Sequence, residues 1–201
     1  METRLSHALP KNINRQELRR LLRARRKSLT AQAQRQASAG VANLLSVNSH
    51  FRRARRIALY LANNGELDLA LVAKRALALG KECYLPVLRG NSLDFARWRP
   101  GDRLLRNRFG IPEPMPRAPR AQCHELDMVC VPLVGFDEQG HRLGMGGGFY
   151  DRTFTYRINR RKAKPVLAGI AHECQRVDLV PIQPWDVPLD LVVTDRRIII
   201  G

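Results

Sequence analysis

The stretch Arg142-Leu143-Gly144-Met145-Gly146-Gly147-Gly148-Phe149-Tyr150-Asp151-Arg152 puts four glycines within five residues, between an apolar run and the start of a helical pattern. A turn without Cβ atoms lets backbone N–H groups converge on an anion, and the helix start adds partial positive charge. Asp151 falls just inside that helix, where a carboxylate can hold Mg²⁺ against phosphate oxygens, and Arg142 and Arg152 flank the loop as further cations. The loop lacks the Gly-Lys-Ser/Thr ending of a Walker A sequence, and Phe149 stands where G-x-G-x-x-G needs its third glycine. A glycine turn needed only for close packing is the plain alternative. A second cluster, Asn63-Asn64-Gly65-Glu66-Leu67-Asp68, follows an apolar run of strand length, and ligands of open α/β sheets bind beyond such strand ends. Glu66 reads equally as a ligand contact or part of a polar turn, whereas Asp68 reads best as the cap of the next helix. A third cluster, Pro184-Trp185-Asp186-Val187-Pro188-Leu189-Asp190, fixes a turn that can present Asp186 as a second Mg²⁺ carboxylate, with Asp190 equally eligible from spacing. His172 follows a strand but nothing orients it, and no Ser/His/Asp or Cys/His nucleophile arrangement emerges.

The elements that must hold these clusters follow from periodicity. Leu18, Leu21 and Leu22 form one apolar stripe in a helix over 14–27, and Thr30 caps a second helix running to about Val47. Residues 57–61 read as a short strand, and Leu69 to Leu77 have helical spacing ahead of Gly80. Residues 82–88 read as a strand stopped by proline, and 93–98 as another. Pro112, Pro114, Pro116 and Pro119 make 111–120 an extended loop without regular structure. Residues 127–136 are nearly continuously apolar, as in a strand buried on both faces. A helix is predicted from Phe149 to about Arg161, and further strands over 166–171 and 189–194. Strands alternating with helices predict an α/β fold: a single domain with a largely parallel central sheet flanked by helices, Rossmann-like and three-layered. Residues 1–14 read as a flexible basic tail, and 15–201 as the one domain.

The 201 residues carry 35 Lys and Arg against 18 Asp and Glu, a net charge of +17. The basic residues are scattered, and neither a helix-turn-helix, a zinc finger nor interleaved aromatic residues accompany them, which argues against dedicated nucleic-acid binding. A polyanionic small ligand explains the excess more economically. Four cysteines without metal spacing read as reduced thiols, and the start has no apolar signal region, so a cytoplasmic protein without membrane spans is expected.

In order along the chain, GELD (65–68), YLPVL (84–88), GIPEP (110–114), VPLVGFDEQGHRLGMGGGFYDR (131–152) and WDVPLD (185–190) resemble the motifs of 5-formyltetrahydrofolate cyclo-ligases, also called methenyltetrahydrofolate synthetases, in their bacterial branch. The likeness runs from about residue 15 to 195. It implies an ATP- and Mg²⁺-dependent cyclisation of 5-formyltetrahydrofolate, and of its polyglutamates, to 5,10-methenyltetrahydrofolate with release of ADP and phosphate. The implied route is an iminophosphate: the formyl oxygen takes the γ-phosphoryl group, and N10 closes on the activated carbon. The family's ATP-contacting N-terminal motif falls on Arg15, Gln16, Glu17, Leu18 and Arg19; many members begin it with Lys. Its nucleotide loop falls on Arg142, Leu143, Gly144, Met145, Gly146, Gly147, Gly148, Phe149 and Tyr150, with Met145 to Phe149 also meeting the folate. Leu61 and Glu66 match positions lining the folate site, and Asp151 and Asp186 match the metal carboxylates. Some members carry a basic residue where this chain has Gly147. A monomer is expected. A relative that binds folate or nucleic acid without turnover would have lost the glycines, Asp151 or Asp186, and this chain keeps them all.

Overall fold

The computed structural model describes residues 13–160 and 163–201. Within them five helices, α1 (Arg15–Lys27), α2 (Ala31–Val47), α3 (Ser49–Arg53), α4 (Ala70–Ala78) and α5 (Phe149–Thr153), surround twelve short strands. These are β1 (Arg56–Ala58), β2 (Glu82–Arg89), β3 (Ser92–Arg97), β4 (Leu104–Arg106), β5 (Pro112–Pro114), β6 (Arg120–Ala121), β7 (Met128–Pro132), β8 (Gly135–Phe136), β9 (Arg142–Leu143), β10 (Val166–Ile170), β11 (Leu191–Val193) and β12 (Ile198–Ile200). Eight form one sheet in the order β12-β11-β10-β7-β1-β2-β3-β6. The inner five, β11 to β2, are parallel, and antiparallel strands close both edges.

Side chains in the central strands alternate between two cores, as a two-residue period requires. Ile57, Met128, Cys130, Ala168 and Leu191 face the layer of α2, α3 and α4, whereas Ala58, Val129, Val131, Leu167 and Val192 face Phe95, Phe136 and Phe154. A third, smaller core holds α1: Leu18 and Leu22 are fully buried against Val134, Leu143, Val177 and Val180. The predicted α/β architecture with a largely parallel sheet is therefore present, and Leu18 and Leu22 of the apolar stripe expected on α1 are buried, with Leu21 only partly so.

Four local expectations are corrected. Pro86 does not stop β2: the parallel partner β1 ends at Ala58, opposite Tyr84, so beyond that point only β3 needs ladder donors and a proline is tolerated on the free edge. Within 111–120, Pro112–Pro114 is a strand, because a two-stranded ribbon with β4 is all edge and accommodates missing N–H groups. The helix from Phe149 stops at Thr153 and continues as a 3₁₀ turn over Thr155–Arg157. Thr153 and Thr155 bond back to the carbonyls of Phe149 and Asp151 (2.7 and 2.8 Å), competition that Thr brings to helices, and Phe154 turns fully into the core. The apolar run 127–136 divides into β7 and the start of the β8–β9 hairpin. The expected end of the α5 helix at Arg161, and residues 1–12 of the expected tail, lie outside the described residues. Ile13 and Asn14, the last two of that tail, are held. Ile13 packs on the small core, and Asn14 caps α1, its side chain accepting from Gln16 and Glu17 N–H while Glu17 reaches back to its own N–H.

The connectivity also locates the site. From β1 the chain passes through α4 to β2 on one side, whereas β7 leads to β10 on the other, so the direction of winding reverses between β1 and β7. Loops leaving the carboxyl ends of those two strands flank the crevice where open α/β sheets take ligands.

Candidate active site

The loop after the β8–β9 hairpin is the glycine loop. Gly146 has φ +104° and Gly148 φ +64°, so two of its four glycines occupy the left-handed region that side chains strain. Gly147 is not so constrained, but a Cβ there would stand 2.9 Å from the Phe149 ring. A Cβ on Gly144 would meet open space. Steric need inside the protein therefore explains three glycines, and Gly144 opens on the adjoining cleft.

That cleft, about 540 Å³, is lined by Arg15 and Arg19 of α1, by Gly144, Gly146 and Gly148, by Asp151, Arg152 and Thr155, and by Gln183, Trp185 and Asp186. Segments more than 120 residues apart in the chain meet here. Arg15 forms a two-pronged pair with Asp186 (2.6 and 3.2 Å) and also donates to the Pro181 carbonyl at 2.9 Å. Arg19 donates to the Gly144 carbonyl at 2.9 Å. Asp186 further accepts from its own turn, Gln183 N–H at 2.8 Å. Arg142, read as a flanking phosphate cation, is instead a buried strut: its guanidinium bonds the Val187 carbonyl and one oxygen, Oδ1, of Asp151. Val187 N–H donates to that same Asp151 oxygen at 3.1 Å. Oδ2 of Asp151 has no partner among the described residues, and the side chain is one-fifth exposed to the cleft. Arg152 lies over the Phe149 ring, 5.3 Å from its centroid, and bonds the Gly147 carbonyl.

Among the described residues no cluster of three or more His, Cys, Asp or Glu side chains could by itself enclose a metal. The chemistry of the donors still fits Mg²⁺, which takes one or two carboxylates and completes its shell with water and substrate phosphates. Asp151 Oδ2 would be the open donor, and Asp186 could offer a second oxygen on exchanging part of its Arg15 contact. Asp190, eligible from sequence, is elsewhere: Arg157 grips both its oxygens (2.7 and 2.8 Å) and Leu167 N–H donates to it, a structural pair.

Not every anticipated residue faces the cleft. Leu18 and Leu143 are fully buried beneath it, Gln16 is exposed, and Glu17 is the capping partner of Asn14. Met145 is exposed on the loop rim. Tyr150 is half-buried, and burial holds its hydroxyl well above the usual tyrosine range, with Glu66 adding to the effect. Leu61 packs against the main core at the end of β1.

Glu66 lies outside the residues lining that cleft, in the turn after β1, with its side chain 9% exposed. Its Oε2 accepts from Asn63 N–H at 3.1 Å, and Oε1 lies 3.9 Å from Nη1 of Arg26. Burial pushes its carboxyl up; the Asn63 bond and the Arg26 charge oppose this. Asp68 accepts from Ala70 N–H at 2.9 Å and so satisfies a first-turn donor of α4, but the N-cap position itself falls on Leu69, which makes no side-chain cap bond. His172 is buried, and desolvation lowers its basicity. Sequence reasoning misses Arg23 and Arg26, because an Arg-rich helix reads as a solvated face. Thr155, Gln183 and Trp185 carry no signal beyond their neighbourhood. A second hollow of about 500 Å³, among Arg97, Arg99, Arg103 and Arg117, contains none of the anticipated residues.

The family model for the 5-formyltetrahydrofolate cyclo-ligase family matches residues 11–195. The chain is 38% identical to the 5-formyltetrahydrofolate cyclo-ligase of Escherichia coli K12 over 183 residues, covering 89% of this chain and 98% of that one. Identity to the Haemophilus influenzae cyclo-ligase is 39% over 184 residues, 89% of this chain and 97% of that one. Among solved structures, 5,10-methenyltetrahydrofolate synthetase of Aquifex aeolicus superposes with a TM-score of 0.80 at 31% identity, covering 94% of this chain and 93% of that one. The fold is shared also with the Mycoplasma pneumoniae synthetase, at a TM-score of 0.72 and 21% identity, over 92% of this chain and all of that one. A glycine loop, two arginine-held carboxylates and a largely buried glutamate thus stand on a scaffold that matches over residues 11–195, and the chain belongs to the 5-formyltetrahydrofolate cyclo-ligase family.

Proposed function

We propose that this chain catalyses the ATP-dependent closure of 5-formyltetrahydrofolate to 5,10-methenyltetrahydrofolate, releasing ADP and phosphate. One observation carries the proposal: a single cleft gathers the guanidinium groups of Arg15 and Arg19, the glycine loop with its freed backbone, and the carboxylates Asp151 and Asp186. That donor set suits a polyphosphate and its cation, because arginine forks match phosphate oxygens and unhindered N–H groups can approach them. When bound, Mg²⁺ supplies charge neutralisation for the transferred phosphoryl group. Asp151 offers it Oδ2 and Asp186 a second carboxylate oxygen.

An amide oxygen is a poor leaving group. Its attack on the γ-phosphorus forms an O–P bond and breaks the bond to ADP; N10 then attacks the formyl carbon and gives up its proton, and phosphate departs carrying the formyl oxygen, leaving the N5–CH–N10 methenyl bridge. The chain's own work in such a sequence is alignment and charge stabilisation. Arg15 and Arg19 hold the phosphates, and the loop from Gly144 to Phe149 borders both substrates. Leu61 and Glu66 hold the pterin on the β1 side, with Glu66 an acceptor for its ring N–H groups. No helix among the described residues is long and apolar enough to cross a membrane.

The test is absorbance. Methenyltetrahydrofolate has a near-ultraviolet band that the formyl substrate lacks. Protein, 5-formyltetrahydrofolate and Mg·ATP together are expected to raise that band, and omitting ATP to abolish the rise. A folded protein that binds the folate but raises no band would reject turnover in favour of a binding role.

A further inference from the structure

Four arginines of α1 follow one another at helical spacing, Arg15, Arg19, Arg23 and Arg26, and each ends on a loop of the site. Arg15 reaches Asp186, Arg19 the Gly144 carbonyl, and Arg23 the Met145 carbonyl at 3.1 Å. Arg26, the last, is 1% exposed. Its Nε and Nη2 both donate to the Asn64 carbonyl (3.1 and 2.8 Å), and its Nη1 donates to the Leu133 carbonyl at 3.2 Å. The same Nη1 is 3.9 Å from Glu66.

Burying a guanidinium completely is costly unless its donors are paired, and a buried salt bridge is weak evidence for stability. An aliphatic side chain would fill this helix position at less cost, as Leu22 and Leu18 do one and two turns earlier. The arginine instead joins the loop after β1, through Asn64, to the loop after β7, through Leu133. Those loops flank the reversal point of the sheet. Asn64 has φ +51°, a left-handed residue held in place by the clamp on its carbonyl, and it lies two residues from Glu66.

We propose that Arg26 is a positioning residue for the folate site: its guanidinium, locked on Asn64 and Leu133, fixes the turn that presents Glu66 and places a permanent positive charge behind that carboxylate. The inference rests on reading Glu66 as the pterin contact. Every charged or titratable neighbour of Glu66 bears on it. Arg23 and Arg26 on α1 favour the ionised carboxylate, together with the Asn63 N–H, while burial opposes it. Tyr60 at the end of β1 and Tyr150 on α5 face it as neutral hydroxyls held above their usual range. His172, after β10, has its basicity lowered by burial and bonds the backbone of Gly65, the residue before Glu66.

The experiment compares the full-length wild type with Arg26→Met, Arg26→Lys, Glu66→Gln and the two double variants. Arg26→Met is expected to raise the KM for 5-formyltetrahydrofolate about tenfold while leaving the KM for ATP within about twofold. The acid limb of kcat/KM for the folate should move up by about one pH unit, because removing the cation leaves burial less opposed. Arg26→Lys should return the limb towards its wild-type position while only partly restoring KM, since an ammonium restores the charge but not the fork. In the Glu66→Gln background neither substitution should change folate KM by more than about twofold. Equal losses in both backgrounds, parallel rises in the KM values of folate and ATP, or an unmoved acid limb would overturn the inference and leave Arg26 as a strut. If Arg26→Met does not fold, the same cycle with Arg26→Lys and Arg26→Gln decides. Carbon-13 NMR titration of the Glu66 carboxyl in wild type and in Arg26→Gln provides a readout free of turnover: an unmoved Glu66 titration contradicts the inference even if the wild type proves inactive.

Discussion

Two regions of the molecule use arginine in different ways. In the glycine-loop cleft, Arg15 pairs with the carboxylate of Asp186, their side chains 21% and 13% exposed. In the turn after β1 the corresponding arginine, Arg26, is sealed, and its donors go to main-chain carbonyls. A pair that still meets water can be traded for a phosphate or a cation more readily than one sealed from it. A buried guanidinium bonded to carbonyls cannot be traded and serves as scaffolding. On the proposed reading the first region exchanges ions, and the second holds one carboxylate still.

The sharpest way to break this distinction is at Asp151. Asp151→Asn removes the charge that faces the cleft through Oδ2, and turnover is expected to fall by about 10²–10³-fold, the scale of losing one electrostatic contact to a transferring group. The same change leaves buried Arg142 without its counter-charge, so a fall in melting temperature should accompany it, reflecting about 1–3 kcal/mol. Unchanged turnover at limiting Mg²⁺ would remove Asp151 from the cation's shell.

The glycines offer an internal contrast of intermediate size. Gly146→Val places a branched side chain at φ +104°, and ATP affinity is expected to fall by more than tenfold at a stability cost of about 1–3 kcal/mol. Gly144→Ala meets open space within the protein, so its melting temperature should stay unchanged while ATP affinity weakens. Calorimetric titration with ATP and thermal melts of both variants decide the matter. A large stability loss for Gly144→Ala, or normal ATP affinity in folded Gly146→Val, would show a loop needed for packing only.

Arg15 sharpens the comparison further. Arg15→Lys keeps the charge but cannot span both oxygens of Asp186 and the Pro181 carbonyl. A several-fold rise in the KM for ATP is expected with little change in stability, about 0–1 kcal/mol for a partly exposed pair. A large stability loss would mean that this pair is structural like that of Arg157 and Asp190.

The smallest expected effect concerns the +17 charge. Polyglutamate tails carry several carboxylates, and attraction by scattered arginines is screened beyond roughly 10 Å at 0.1 M salt. Raising ionic strength should therefore increase KM for a polyglutamate folate more than for the monoglutamate, with kcat little altered. Equal salt effects would leave the surplus arginines unrelated to the tail.

Legibility in the sequence follows the same divide. The glycine loop and Asp151 are readable because special backbone geometry leaves marks on residue type, whereas turn chemistry leaves Asp186 and Asp190 equal and only the family resemblance separates them. The burial of Leu18 and Leu22 is readable from spacing. Arg26 is not, since its partners are carbonyls at Asn64 and Leu133, and a carbonyl has no letter in the sequence. Arg142 reads as a phosphate contact because nearness along the chain cannot reveal that its side chain points inward to Asp151. The short ribbon of β4 and β5 escapes for a similar reason: proline marks the loss of a donor, not whether the donor was needed there.

Phosphoryl transfer to the formyl oxygen can be tested directly by labelling that oxygen with ¹⁸O. Turnover with Mg·ATP is expected to release inorganic phosphate carrying one ¹⁸O per methenyl product, in step with one ADP. Label appearing in water, with the phosphate unlabelled, would contradict transfer to the formyl oxygen and with it the phosphate-holding roles of Arg15, Arg19 and the glycine loop.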